Sequence, residues 1–359
     1  MMREEDFLQR IAEQPSAREL RLVFADWLQE QGDPRGEVIA LSERGNLLLS
    51  ERRRVARATA LHSHDWLGPL ASIADPHRTR FMGGFLDELV CHGARPPEAW
   101  ESLTGDPRLA TVRSFVVPPR QSPRSLETFL GSPVWRSLSR LELGSEDWAA
   151  LRTLPARPVS KAIVASWGVF RRELAVLAVV PTFLRATVLG LASTEFINGL
   201  VVQEIVRYVR DQHAALGHFS ELQLLCRYGV MEGAASWLLS AEQATSELFP
   251  EVKRWTVEMS EVSFTRSRSA DAFDSLSIDL SLPESSTGEK EVLDVKSAFE
   301  RRLATAASVL VQLAPARLRS VNVVLGPGAR LRHTERATLK AAARRSGLLE
   351  SFVIEGDQP

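Results

Sequence analysis

Cysteine is nearly missing from this chain: there are two residues, Cys91 and Cys226, far apart among 359. That count argues against a disulfide framework and fits a reducing compartment, so a cytoplasmic location is expected. Net charge is nearly missing too, at −1 from 44 Lys and Arg against 45 Asp and Glu. No global attraction to nucleic acid or membrane follows from such a balance. Long hydrophobic runs are absent. The longest, Leu174 to Val180, stops at Pro181, well short of the about 18 residues a membrane span needs. The first residues, MMREEDFLQR, hold no apolar signal core. No Cys and His pairs stand at zinc-finger spacing, and no cofactor or resident metal is expected. The length suffices for a large core or for two to three conventional domains.

What is present begins with Arg21 to Leu41, RLVFADWLQEQGDPRGEVIAL. Ser16 and Glu19 read as a capping-box pair that opens a helix. Leu20, Val23, Phe24, Trp27 and Leu28 then recur at helical spacing as one wide apolar stripe. Gly32 is suited to a left-handed stop. Asp33 and Pro34 are suited to cap and start the next helix, whose buried side continues through Val38 and Leu41. The unit is a helical hairpin with a tight Gly-Asp-Pro corner. Asp26, beside Trp27, reads as an exposed or capping carboxylate rather than a catalytic one.

The same residues carry a family resemblance. Arg21 to Phe24, Ala25 to Glu30, Gly32 to Glu37 and the pair Val38 and Ile39 resemble, in order, the parts of the bacterial repeat-companion domain. That family has a leucine-rich stretch, an Asp-Trp-Leu-Glu-Glu-like core, Gly-Asp-Pro-Arg-Gly-Glu and an apolar pair. The likeness covers about an eighth of the chain. It implies association with downstream repeats, often leucine-rich ones, and carries no activity and no catalytic residues.

A repeat does return downstream, as apolar, two variable, apolar, one variable, apolar. It reads Val112-Phe115-Val117, Leu138-Leu141-Leu143, Val159-Ala162-Val164 and Leu184-Thr187-Leu189, at steps of 21 to 26 residues. Weaker copies are Phe219-Leu222-Leu224, Val252-Trp255-Val257, Phe273-Leu276-Ile278 and Leu318-Val321-Val323, with an early partial copy over Phe85 to Val90. Helix-like segments lie between: SPRSLETFLGS with Leu126, Phe129 and Leu130, then Arg171 to Val180, then Glu195 to Gln212. Short strands alternating with helices or turns at a short period describe coils that bury their apolar face only by stacking on neighbours. The Asn that ladders inside each turn of a standard leucine-rich repeat is absent from ELGSEDW, VASWGVF and VLGLAST. Other groups must then satisfy the turn backbone. A doubly wound sheet would need longer apolar strands.

Several clusters invite chemical readings. Glu51 to Arg54 with Arg57 suits a solvated helix face. In His62-Ser63-His64-Asp65, a helix cap at Ser63 or Asp65 is favoured over a metal site, with Trp66 and Leu67 in the core. SIDLSL followed by EVLDVKSA fits the D…(D/E)xK pattern of metal-dependent nucleases. There, Asp279 and Asp294 would hold Mg²⁺ on adjacent strands while Lys296 positioned the attacking water. The pattern is short enough to arise by chance, and exposed acids on solenoid strands are the favoured account of it. From Glu300 to Ser346 ten Lys or Arg face two acids. They are Arg301, Arg302, Arg317, Arg319, Arg330, Arg332, Arg336, Lys340, Arg344 and Arg345. This basic face could meet nucleic acid or anionic lipid. The stretch lacks aromatic stacking partners, however, and reads rather as a terminal cap: a helix from about Thr334 to Ser346, Gly347 as stop, and LLESFVI as a last strand.

The expectation is an α/β, leucine-rich-repeat-like solenoid. Residues 1–80 form a helical repeat-companion and N-terminal cap region, and residues 81–359 form the irregular solenoid with its C-terminal cap. The function expected is non-enzymatic: a scaffold presenting a concave parallel sheet to a protein partner. The residues between the apolar anchors would form that face. They are Ser114, Val116, Arg140, Glu142, Lys161, Ile163, Ala186, Val188, Glu221, Gln223, Thr256 and Glu258.

Overall fold

The structure, a computed structural model, describes residues 3–93, 96–117, 123–148, 151–152, 154, 159–165, 186–193, 220–226, 253–259, 263–269, 272–280, 302–304, 306–311, 320–325, 331–345 and 352–355. It is mixed α/β, with helices and two mostly parallel sheets. Two compact units divide it: Met1–Ala165 with Val179–Ala186, and Ser166–Ala178 with Thr187–Pro359. The helical segment shares a unit with the first five strands because its apolar residues pack against theirs.

The first unit opens with α1 (Glu4–Glu13), α2 (Arg18–Glu30), α3 (Pro34–Arg44) and α4 (Leu49–Leu67). Phe7, Leu8 and Ile11 of α1, Phe24, Ala25 and Leu28 of α2 and Ile39 of α3 form one core with Phe85 of the sheet. The corner between α2 and α3 follows the sequence. Gly32 takes φ +75°, and the Gly32 and Asp33 N–H groups donate to the carbonyls of Gln29 and Leu28, both at 2.9 Å. The Asp33 carboxylate accepts from the Arg35 N–H at 2.8 Å, and Pro34 is the first helical residue.

Three local expectations differ. The residue capping α2 is Ala17, which has no side-chain cap bond, so the Ser16 and Glu19 capping box does not form. Val23 leaves the stripe and stands 54% exposed, because the buried face of α2 narrows to Phe24, Ala25 and Leu28. Ser63 and Asp65 lie inside α4, one turn before its end, so neither caps a helix. Trp66 and Leu67 are buried as expected.

A sheet follows from β1 (Arg80–Met82), β2 (Phe85–Val90), β3 (Ser114–Val116), β4 (Arg140–Gly144) and β5 (Lys161–Ala165), each beside the next. β1 and β2 form an antiparallel hairpin; β2 to β5 are parallel. The hairpin turn is Gly83-Gly84, with φ +56° and +76°, the pairing of positive angles that a two-residue primed turn requires. In register, Leu89, Phe115, Leu141 and Ala162 align on the core face. Between strands, α5 (Pro97–Glu101) and α6 (Pro123–Gly131) supply Trp100 and Phe129, which pack with Phe115 and Trp135 at ring separations of 5.0–6.3 Å. A short helical turn, α7 (Ser145–Trp148), follows β4.

The second unit holds β6 (Val188–Ser193), β7 (Glu221–Cys226), β8 (Arg254–Met259), β9 (Ser263–Ser269), β10 (Ala272–Asp279), β11 (Ser320–Val324), α8 (His333–Arg345) and β12 (Phe352–Glu355), its strands again in chain order. β6 to β8 are parallel and so are β10 to β12, but β8, β9 and β10 run as an antiparallel meander. The run of parallel coils is therefore broken at β9. That strand, SFTRSRS, carries one large apolar residue, the buried Phe264, and so had no triplet to announce it. The register also moves one triplet. Leu189 pairs with Leu222 and Leu191 with Leu224, so the triplet in register with β7 is Ala186, Leu189 and Leu191, of which Ala186 is buried. Thr187 stands exposed before the strand. Helix α8 and strand β12 fall where a helix from about Thr334 and a last strand were expected, with Leu339, Ala342 and Ala343 buried.

A serine ladder runs along the strand starts, at the opposite end of the strands from the turns where an asparagine would ladder. The Ser139 hydroxyl donates to the Arg113 carbonyl and the Ser160 hydroxyl to the Ser139 carbonyl, both at 3.2 Å. In the second unit Ser220 donates to the Thr187 carbonyl at 3.4 Å. Each serine precedes a strand, so the carbonyls satisfied are those at the strand starts.

Candidate functional site

The expected binding face lies opposite the core residues of each sheet. In the first unit its outermost row is Glu88, Ser114, Arg140 and Lys161, aligned by strand register. Glu88 is its centre. It accepts from the Ser114 hydroxyl at 3.0 Å, and it pairs with Arg140 at 3.6 Å and Arg80 at 3.5 Å. Arg140 also reaches Glu142 at 3.4 Å. Glu88 was missed from sequence, although the partial copy over Phe85 to Val90 placed it between two anchors.

The next row is Val90, Val116, Glu142 and Ile163, and all four are buried. Val116, Glu142 and Ile163 are thus not a presented surface, and neither is Ser114 of the first row, which is buried with its hydroxyl on Glu88. Three members of the row are apolar, and the Glu142 carboxylate, 0% exposed, meets Arg140 instead of water. Ala186 is also corrected. It is fully buried ahead of β6, at the position of an anchor, while Val188 keeps its place on the outer face.

In the second unit Val188, Glu221 and Arg254 share one row, and Gly190, Gln223, Thr256 and Thr265 share the next. The Gln223 amide donates to Glu221, Arg254 pairs with Glu221 at 3.9 Å, and the Thr256 and Thr265 hydroxyls stand 3.0 Å apart. Thr256 is buried. Glu258 aligns with Leu225 and Ser263, and its side chain lies outside the described residues.

A cleft of the first unit lies elsewhere, with a volume of about 760 Å³. It lies between the Ser42–Leu47 turn and the β1–β2 hairpin. Its floor is Phe85 and Leu86, its rim includes the 55% exposed Met82, and Arg21, Arg52, Arg113 and Arg136 line it with Glu43 and Asp87. Arg21 is paired with Glu43, and Arg113 with Asp87. The hydrogen bond to Asp87 raises the Arg113 pKa.

The corner between α2 and α3 is explained by packing. Arg35 is buried, its Nε donates to the Gly84 carbonyl at 2.7 Å, and its guanidinium lies over the rings of Phe24 and Phe85 at 5.4 and 5.6 Å. Burial lowers its pKa to about 10, with Glu4 at 3.3 Å opposing that shift. It therefore remains a cation at neutral pH. Asp26 is exposed.

Of the nuclease-like set, Asp279 ends β10, opposite Ser263 of β9 and Val324 of β11. Both edges of β10 are taken by these strands, and neither carries Asp294, so the adjacent-strand arrangement that motivated the reading is not formed by β10 and its neighbours. Asp294 and Lys296 lie outside the described residues. Among the described residues no cluster of His, Cys, Asp and Glu suits a metal. His62 lies 3.8 Å from Asp65 along α4. Of the basic C-terminal residues, Arg302 is buried, Arg332 pairs with Glu335, and Lys340, Arg344 and Arg345 are exposed on α8. Arg301, Arg317, Arg319 and Arg330 lie outside the described residues. No described helix is long and apolar enough to cross a membrane.

Comparison with protein-family models, curated proteins and solved structures finds no match to this chain.

Proposed function

We propose that this chain is a non-enzymatic scaffold of the bacterial cytoplasm, a leucine-rich-repeat-like solenoid whose repeat-companion module closes its first sheet, and that it binds a protein partner. The observation that carries this reading is the order of the strands. In each sheet neighbours in sequence are neighbours in space, and the parallel steps recur at 26, 26 and 21 residues, then 33 and 33. Such a progression sets equivalent side chains in rows across a sheet, which suits rigid display to a macromolecule. The row from Glu88 to Lys161 offers charged groups already held by mutual bonds, so little side-chain freedom is lost when a partner docks.

Affinity purification from native cells tests the reading. The wild-type chain is expected to recover a partner that is lost with Arg140→Glu and Lys161→Glu together. Recovery unaffected by that double variant, or no partner at all, would count against display on this row. Purified chain incubated with Mg²⁺ and plasmid DNA or RNA should show no cleavage; cleavage abolished by Asp279→Ala would return the nuclease reading.

A further inference from the structure

The cleft of the first unit has a charge pattern that the sheet face does not share. Four arginines line it against two carboxylates, and the two carboxylates are already bound: Glu43 to Arg21 and Asp87 to Arg113. Arg52, on the first turns of α4, and Arg136, just before β4, are exposed and have no ion-pair partner among the described residues. The cleft thus keeps an excess of two positive charges in a chain whose net charge is −1. Its apolar part is Phe85 and Leu86 below, with Pro15, Leu47 and Met82 beside them. Leu48 and Leu49 continue from the rim, each 67% exposed. Contiguous exposed apolar side chains rimmed by polar groups mark interaction surfaces.

We propose that this cleft is a docking site for an acidic, apolar-spaced peptide segment of a partner protein. Carboxylates of the segment would meet the guanidinium groups of Arg52 and Arg136, which suit bidentate pairing. An intervening apolar side chain would rest on Met82, Leu47 and the Phe85 floor. Serine hydroxyls at Ser16, Ser42 and Ser137 line the same space and can meet a peptide backbone. A volume of about 760 Å³ admits several residues of extended chain and not a folded domain. The inference rests on the reading of the chain as a protein-binding scaffold, but it sets the contact on a surface other than the sheet row.

Fluorescence anisotropy tests it with a labelled decapeptide of alternating Glu and Leu and with its Lys and Leu counterpart. The acidic peptide is expected to bind saturably and more weakly as salt rises. Its affinity should fall at least about tenfold in the Arg52→Glu, Arg136→Glu variant and be unchanged in Arg140→Glu, Lys161→Glu. Equal binding of the basic peptide, no saturable binding, or affinity untouched by the first variant would overturn the proposal. So would a single-stranded oligonucleotide that binds more tightly through the same two arginines. Both arginines are exposed, and circular dichroism with a thermal melt verifies that each variant is folded. Loss of the cleft result alone leaves the scaffold reading standing. Loss of the native partner in the Arg140 and Lys161 variant, with peptide binding intact, separates the two surfaces.

Discussion

Arg35 shows how much one residue can hold. It carries a buried charge, fills the space between two aromatic rings and satisfies the carbonyl of a turn 49 positions away. Replacing it with alanine leaves the Gly84 carbonyl without its donor and opens a gap between Phe24 and Phe85. A loss of about 3 kcal/mol is expected in urea unfolding. Arg35→Lys should recover little of it, because an ammonium cannot span the rings and the carbonyl with one planar group. Gly36 is as constrained: a Cβ there would meet the Ala25 carbonyl at 2.5 Å, so Gly36→Ala should push α2 from α3 and cost about 1–3 kcal/mol. Glu51 supplies a pH test. The Arg44 side chain first, and the Leu48 N–H second, hold its carboxylate below its ordinary value of 4.5. A lowered folded pKa means stability that is present above 4.5 and is lost as pH falls through the lower value. The urea midpoint of the wild type should therefore drop on acidification through that window by more than that of Glu51→Gln. Equal slopes would show that this contact contributes nothing.

At the scale of elements, helices were easier to read than strands. The Gly-Asp-Pro corner, the buried face of α6 and helix α8 stood out because capping chemistry and three-to-four-residue spacing are local signals. Strand β9 did not, since a polar strand in an antiparallel meander is specified by its neighbours and not by its own residues. The β6 triplet was misplaced by two because Leu184 and Leu189 fit the pattern as well as Ala186, Leu189 and Leu191 do. Only register decides between them. The binding row was legible in its parity and not in its exposure: alternation says which face a residue takes, while burial depends on what lies over that face. The serine ladder is likewise a tertiary feature. Ser139→Ala and Ser160→Ala should each cost only about 0.5 kcal/mol, measurable by thermal unfolding, because each acceptor carbonyl keeps its two backbone N–H donors; the pair should depart from additivity, since Ser160 donates to the carbonyl of Ser139. Trp100→Ala, which empties the centre of the Phe115, Phe129 and Trp135 cluster, should cost about 3–5 kcal/mol.

For the molecule as a whole, the sequence indicated mixed α/β architecture with strands in chain order, and the described residues bear that coarse statement out. The division into two compact units was not visible, because the triplet pattern runs through the division without a change in composition. The cleft was invisible as well. Its lining comes from segments as distant as Pro15 and Ser137, and no linear motif joins them.

The Gly83-Gly84 turn has a last consequence. A Cβ on Gly84 would sit 2.6 Å from the Ile39 side chain, and its carbonyl is the one that Arg35 grips. Helical module and hairpin are therefore keyed to each other, and the module is not freely portable. A chimera that moves residues 1–67 onto another repeat array should stay folded only if the hairpin with its paired glycines travels along.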